Sequence, residues 1–298
     1  MSVFDNAVVA ITCVSGSFGE AFVKHALAHL PVKAIRGISR SESKQAELRA
    51  RVPDDRLRLL IGDTRDQERL ETAFHGVDIV IHGAALKRVD ATAYDPGESI
   101  RTNVLGALNV EAAARKCGVK RVLGISTDKA SAGANLYAAT KACMEHYFAF
   151  ANHYSGAGPT RLACTRWGNV IGSTGSVLTL WQKQIDRGEP LYVTDKRMTR
   201  FWLTLQDAVT FAVWAVEAMQ GGEVFIPGMV RASLLNLAAA YAPESSVTFG
   251  TIRPGGEKLS EDIITPTEAR RTYMRRSEDY CIEPDIHEWD SSRTPRGS

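Results

Sequence analysis

Tyr137-Ala-Ala-Thr-Lys141 places a phenol and an amine at i and i+4, on one face of a helix. A Tyr–Lys pair of this kind does acid–base chemistry on an alcohol, because a neighbouring ammonium lowers the phenol's pKa and lets it take a proton near neutral pH. Alone, a Y-x-x-x-K spacing is usually surface or core decoration. Its weight here comes from what precedes it. An apolar run, RVLGIS, ends in Ser126-Thr127-Asp128-Lys129 just upstream. If that run is a strand of an open α/β sheet, its end is the carboxyl edge, where such folds bind ligands. Asp128 and Lys129 are then a second acid and base at the same edge. A plain oxidoreductase has no use for them, and their bland reading is a surface ion pair.

A second constellation lies near the start. The run AVVAIT leads into Thr12-Cys13-Val14-Ser15-Gly16-Ser17-Phe18-Gly19, and a helical pattern follows at once. Gly16 allows the backbone to approach a pyrophosphate, Gly19 allows the helix to pack close to the sheet, and the helix N-terminus offers unbonded N–H groups. Two glycines alone would be an ordinary strand–helix turn; the strand–loop–helix context favours a dinucleotide site. A first glycine is expected at position 13, where Cys13 stands, and its Cβ should crowd the turn. The next strand ends in Ile38-Ser39-Arg40, with Lys44 one turn on. An NAD site wants an acid in that slot for the ribose 2′-hydroxyl. A guanidinium suits a 2′-phosphate, so NADP is expected, with nearby Glu42 weakening the inference slightly.

Stepping along the chain, strands are expected at 7–12, 33–39, 57–61, 78–82, 121–126 and 161–167. Helices are expected at 20–30, 102–117 and 137–154. Fully apolar strands alternating with helices mean a parallel sheet covered on both faces, a doubly wound α/β fold of Rossmann type. The pattern loosens after Asn169 (GNVIGSTGS). We therefore expect a cofactor domain over 1–168. The rest, 169–298, is expected to be a smaller α/β substrate region with some segments returning to the first domain. The tail from Ser277 is polar and expected to be partly loose.

Composition excludes several classes. Lys+Arg number 36 and Asp+Glu 34, so there is no electrostatic reason to expect nucleic acid or an anionic membrane as partner. The 5 cysteines form no C-x-x-C pair, which argues against a disulfide framework or a zinc ribbon and fits a reducing cytoplasm. Asp5 precedes the first apolar run with no basic residue, so a signal peptide is not expected, and no run is long enough for a membrane span. His25 and His29 lack the Glu of a zinc-protease helix, and there is no G-x-S-x-G elbow. No metal is expected.

The chain resembles the extended short-chain dehydrogenase/reductases. More narrowly, it resembles the soluble, C5-inverting UDP-N-acetylglucosamine 4,6-dehydratases of pseudaminic-acid and capsule synthesis. The segments that carry the resemblance are SGSFG (15–19), SRSESKQ (39–45), GDTRD (62–66), HGAALKRVD (82–90), TNVLGALNV (102–110), STDKA (126–130), NLYAATK (135–141), RWGNVIGSTGSV (166–177), VTDKRMTRFW (193–202) and IRPGGEKL (252–259). Retaining, membrane-anchored relatives carry Met where Tyr137 stands. The resemblance implies oxidation at C4 by NADP⁺, with Tyr137 and Lys141 handling the hydroxyl proton and Thr127 bonding the 4-oxygen. Lys129 then removes the C5 proton, Asp128 protonates the departing C6 hydroxyl, hydride returns to C6, and Lys129 reprotonates C5 from the opposite face. That chemistry explains why an extra acid and base accompany Tyr/Lys.

The resemblance further implies cofactor contacts at Ser15, Gly16, Ser17, Phe18, Gly19, Ser39, Arg40, Lys44, Asp63, Thr64, Gly83, Lys87, Thr102, Tyr137, Lys141 and Val170. Asp63 and Thr64 would lie at the adenine. For the nucleotide sugar, UDP-GlcNAc, it implies Lys87, Asn169, Val177, Thr194, Met198, Arg200, Arg253 and Glu257, with Arg200 and Arg253 suited to the diphosphate. It also implies a homo-oligomer. Met198 could equally be core, and Asp63 a turn cap. The chain departs from the family at Cys13 (a glycine), Gly133 (a proline), Ala138 (a glycine), Ser260 (a histidine) and by one extra glycine in RPGGEKL, which could displace Glu257. Two other functions remain open: a UDP-sugar C4-epimerase, which would leave Asp128 and Lys129 idle, and a non-catalytic NADP-binding scaffold or sensor, which Cys13 and the altered turns favour a little.

Overall fold

The apolar runs form six parallel strands: β1 (Val8–Thr12), β2 (Ala34–Ser39), β3 (Leu57–Ile61), β4 (Ile79–His82), β5 (Arg121–Thr127) and β6 (Arg161–Trp167). The structure is a computed structural model that describes residues 2–155, 158–252, 256–276 and 278–287. Between the strands run α1 (Ser17–His29), α2 (Glu42–Arg51), α3 (Gln67–Phe74), α4 (Val89–Tyr94), α5 (Pro96–Ile100), α6 (Gly106–Lys116) and α7 (Leu136–Ala151). The later elements are β7 (Asn169–Val170), α8 (Val177–Ile185), β8 (Leu191–Val193), β9 (Thr199–Leu203), α9 (Leu205–Ala218), β10 (Val224–Ile226), β11 (Val230–Ser233), α10 (Leu234–Tyr241), β12 (Val247–Phe249), α11 (Pro266–Ala269), β13 (Thr272–Arg276) and β14 (Asp279–Ile282).

The main sheet has nine strands in the order β13-β14-β10-β6-β5-β4-β1-β2-β3. β1 to β6 and β10 are parallel, while β14 and β13 close the edge antiparallel. Strand order reverses at β1, with β2 on one side and β4 on the other. A crevice at the carboxyl ends of β1 and β4 is the ligand site such topology creates. One face of the sheet packs Phe22 and Val23 of α1 and Phe211 and Val216 of α9 against Val9, Ile11 and Ile35. The other packs Leu70, Phe74, Val110, Ala114 and Phe148 against Ala10, Val80 and Val122. Each fully buried large apolar side chain contributes roughly 1.5–3 kcal/mol, so the strand ends that carry the site are held by a rigid core.

After Asn169 the chain builds a second, smaller unit. Sheets β11-β9-β7 and β12-β8, with α8 and α10, enclose Trp181, Leu191, Val193, Met198, Trp202 and Leu234. The indole of Trp181 donates to the Tyr192 carbonyl at 2.9 Å, so this buried ring is satisfied. The chain then returns to the large sheet through α9, β10, β13 and β14. Among the described residues, no helix is long and apolar enough to cross a membrane.

Two expected helices differ from the structure. The stretch expected as one helix over 102–117 begins as a π-helical turn, Arg101–Leu105, before α6. The wider turn carries Asn103 inward, where its side chain bonds the Leu86 backbone and the Thr140 hydroxyl. The helix expected to reach Tyr154 ends as α7 at Ala151. There the amide of Asn152 donates to the Phe148 carbonyl at 2.7 Å and accepts the Leu162 N–H at 2.9 Å, tying the helix end to β6.

Candidate active site

β5 ends at Thr127, and a single 3-10 turn, Asp128–Ser131, follows it. Thr127 donates its hydroxyl to Asp128 Oδ1 at 3.0 Å, and Lys129 Nζ donates to the same oxygen at 2.9 Å. Asp128 is fully buried and its Oδ2 has no hydrogen-bond partner. The Lys129 side chain remains 21% exposed, which leaves its amine accessible from the crevice. α7 begins beyond the turn, capped by Asn135, whose side chain accepts the Ala138 N–H at 2.9 Å. That cap sets Tyr137 in the first turn of the helix, with its hydroxyl end deep in the site. Burial pushes the phenol up out of its usual range; the Thr127 hydroxyl opposes the rise and Asp128 adds to it. Lys141 is buried, with Nζ 3.2 Å from Met144 Sδ, and burial pulls its amine down to about 8. The lowering of the phenol by Lys141 that the spacing predicts is not found: burial is the largest influence on both groups, and Lys141 is not among those acting on Tyr137.

The loop after β1 is built for close approach. A Cβ on Gly19 would lie 2.5 Å from the Cys13 carbonyl oxygen and 2.8 Å from Val14 Cα, so α1 packs there only because residue 19 is glycine. Cys13 adopts φ 63°, the left-handed region that favours glycine. The strain expected at Cys13 is thus in its backbone as well as its bulk. Its Sγ lies 3.1 Å from where a Gly16 Cβ would be. Burial raises the Cys13 thiol, and Lys87, Arg40 and Lys44 all act against the rise, so three cations converge on this loop. Gly16 precedes α1 without a side-chain cap, leaving Ser17 and Phe18 N–H groups at the helix end. The Phe18 ring itself packs on Trp167, centroids 5.4 Å apart. Glycines, open helix end and cations together fit a pyrophosphate.

The rim of this cradle is held by residues that the sequence argument missed. Thr12 Oγ1 accepts N–H groups of Gly83 and Ala84, both at 3.1 Å, so its proton goes to His82 Nδ1 at 3.0 Å. Burial pulls His82 down to about 3, which keeps the ring neutral. Gln45 donates to the Ser39 carbonyl and hydroxyl, fixing the end of β2. Arg40 is exposed beyond it, 3.8 Å from Asp63, while Lys44 is exposed one turn on. Hydrogen bonds and charge from Arg65, helped by Arg40, outweigh burial and hold Asp63 below the usual carboxylate range. Thr64 is buried against Gly106, and Thr102 is buried on the π turn. Lys87 reaches across to the Thr174 carbonyl at 3.0 Å, and Ser17 bonds the same residue's hydroxyl at 2.8 Å.

On the substrate side, Asn169 and Val170 form β7 beside β9, Val177 opens α8, and Thr194 lies buried after β8. Met198 is fully buried in the small core. Arg200 is buried as well, and its guanidinium donates to the carbonyls of Thr199, Leu259 and Lys258, with Glu257 3.9 Å away. It therefore holds the 257–259 segment in place. Ser15 and Gly83 line the loop rims. Arg253 lies outside the described residues. In the RPGGEKL run, Gly256 has φ 88°, and a Cβ there would be 2.6 Å from the Ala134 carbonyl oxygen. Two further groups were not foreseen. Glu261 is buried 3.9 Å from Lys129 Nζ. Arg166 bonds Glu145 of α7 and Glu268 of α11 at once.

The family described as polysaccharide biosynthesis protein matches residues 9–282 of this chain. The chain belongs to this family. One relative of this polysaccharide biosynthesis protein, from Campylobacter jejuni, is 43% identical over 95% of this chain and 84% of its own. It is described as UDP-N-acetylglucosamine 4,6-dehydratase (inverting). A Rickettsia canadensis relative described as UDP-glucose 4-epimerase is 36% identical over 93% of this chain and 81% of its own. The X-ray structure of Pen from Bacillus thuringiensis superposes with a TM-score of 0.90 at 32% identity, covering 95% of this chain and 91% of that one.

Proposed function

We propose that this protein is a C5-inverting UDP-N-acetylglucosamine 4,6-dehydratase that uses NADP. The observation that carries the reading is the hydrogen-bonded Asp128–Lys129 pair beside Tyr137 at the carboxyl edge of β5. Moving one proton along the 2.9 Å bond, from Lys129 to Asp128, turns an ion pair into a neutral amine and a carboxylic acid. Elimination across C5–C6 needs that combination: a base for the C5 proton and an acid for the C6 hydroxyl. Asp128 is buried and its Oδ2 has no hydrogen-bond partner, which leaves one carboxyl oxygen uncommitted. Tyr137 takes the C4 hydroxyl proton, with Thr127 at the same oxygen; a bound nicotinamide would supply a hydride acceptor for C4 and a hydride donor for C6, and its positive ring would offset the burial that raises the phenol. Lys129 then hands a proton back to C5 on the opposite face. The overall reaction releases water and consumes no cofactor.

A nicotinamide dinucleotide would lie along Ser15, Gly16, Ser17, Phe18 and Gly19, with Ser39, Arg40 and Lys44 at the 2′-phosphate. Asp63 and Thr64 would take the adenine. Gly83, Lys87, Thr102 and Val170 would line the middle, with Tyr137 and Lys141 at the nicotinamide end. The exposure of Arg40 and Lys44 at the end of β2 supports NADP over NAD. The sugar nucleotide would contact Lys87, Asn169, Val177, Thr194, Met198, Arg200, Arg253 and Glu257. Burial directs Arg200 chiefly to positioning the 257–259 segment. We further propose a cytoplasmic homo-oligomer feeding pseudaminic-acid or capsule synthesis; exposed Ile100, Leu105 and Phe150 support self-association.

The test is product analysis by NMR with UDP-GlcNAc. A C6 methyl signal beside a 4-keto sugar is expected. A C4 epimer with C6 intact would favour the epimerase named for the Rickettsia relatives. Tight NADP binding without turnover would favour a scaffold.

A further inference from the structure

Lys129 faces two carboxylates. Asp128 lies beside it in sequence; the other arrives from far along the chain. Glu261 Oε1 is 3.9 Å from Lys129 Nζ, and its side chain is only 5% exposed. It follows the RPGGEKL segment but belongs to no element, so something must fix it. Three side chains do so through the backbone on either side. Arg200 donates to the Lys258 and Leu259 carbonyls. Ser131, at the end of the Asp128–Lys129 turn, donates to the Asp262 carbonyl. Arg166 of β6 donates to the Ile263 carbonyl at 2.9 Å. The segment is pinned at 258, 259, 262 and 263, and Glu261 stands between those points, aimed at the catalytic turn.

We propose that Glu261 is a positioning residue for Lys129: it orients the amine and sets the charge against which that amine gains and loses its proton during C5 chemistry. This rests on the dehydratase reading above. The charged and titratable groups facing Glu261 are Lys129, Asp128, Arg200 and Lys258. Those facing Lys129 are Asp128 and Glu261, with Tyr137 of α7 next to Asp128. Arg166 of β6 is engaged by Glu145 and Glu268. Burial raises the Glu261 carboxyl, and Lys129 works against that rise, so the two groups sense each other's charge. Glu261→Gln removes the Coulomb attraction between the two groups at this distance.

The experiment follows solvent-deuterium exchange at C5 of UDP-GlcNAc as a function of pH, in holoenzyme carrying Glu261→Gln or Glu261→Asp. Glutamine keeps size and hydrogen bonding but not charge. The rising limb of the Glu261→Gln profile is expected at least about 0.7 pH unit lower than in wild type, the shift for unit charges about 4 Å apart with near-aqueous screening. Glu261→Asp should keep the wild-type limb and lose rate through misplacement of the amine. A Glu261→Gln limb within about 0.2 units of wild type, with only KM or Tm altered, would overturn the proposal. If wild type itself shows no C5 exchange while turning over substrate, the dehydratase reading fails instead.

Discussion

Arg166→Met removes a cation that joins three parts of the molecule. The Arg166 side chain is 3% exposed. It meets Glu145 Oε1 and Oε2 at 3.1 and 2.5 Å, Glu268 Oε1 and Oε2 at 2.7 and 3.0 Å, and the Ile263 carbonyl at 2.9 Å. Met fills similar volume, so the loss is electrostatic. It would leave two carboxylates, 5% and 15% exposed, facing each other without a cation. Removing one partner of a buried ion pair costs about 3–5 kcal/mol. In a chain of this size that lowers Tm by roughly 5–8 °C. The sign of the pH dependence is a second readout. Burial alone would push Glu268 up, but the hydrogen bond and charge of Arg166 hold it below the usual range. In wild type its contribution is present above the unfolded carboxyl pKa and lost as pH falls through the depressed one. In Arg166→Met the carboxylates are relieved by protonation, so the deficit should shrink as pH is lowered from 7.5 towards 5. Glu145→Gln added to Arg166→Met should recover part of the loss. Calorimetric melts across that pH range would check this. A deficit under about 1 kcal/mol, or one that widens at low pH, would refute the reasoning.

Arg40→Asp should weaken NADP(H) binding roughly tenfold or more and leave NAD(H) similar or better, measured by fluorescence titration; equal loss for both would remove the 2′-phosphate assignment. Cys13→Gly should raise stability by at most about 1.5 kcal/mol. It gives up about 1–2 kcal/mol of left-handed strain against about 0.4–1 kcal/mol of extra unfolded-state entropy. Its cofactor affinity should be equal or tighter, and a marked loss would assign Cys13 a direct role.

The parallel sheet was legible because its strands are short, mainly apolar runs, and the end of β5 with the start of α7 brings Thr127, Asp128, Lys129 and Tyr137 to one edge of it. The tight turn after β1 was legible from its glycines: Gly19 sits against backbone that tolerates no Cβ. What escaped was every group whose partner is distant in sequence. His82 reads as the last residue of an apolar strand, and only its bond to Thr12, on the neighbouring strand, shows it holding the 83–87 loop. Glu261 has no local pattern and gains meaning from the backbone anchors around it. Arg200 was assigned to a diphosphate from its charge, and its burial against three carbonyls shows a mainly supporting task. The π turn at Arg101–Leu105 escaped because periodicity does not register one extra residue in a turn. Burial is the largest influence on the Tyr137 phenol, and burial is invisible in the Y-x-x-x-K spacing.

The most direct test of the account is deuterium incorporation at C5 when wild type and Lys129→Ala turn over UDP-GlcNAc in D₂O with NADP⁺ bound. Wild type should place deuterium at C5 with inverted configuration and form the 6-deoxy-4-keto sugar. Lys129→Ala should still bind both ligands yet lose exchange and water release by at least ~10²-fold, the scale of a general base. Wild-type turnover to a C4 epimer without C5 label, or undiminished exchange in Lys129→Ala, would contradict it.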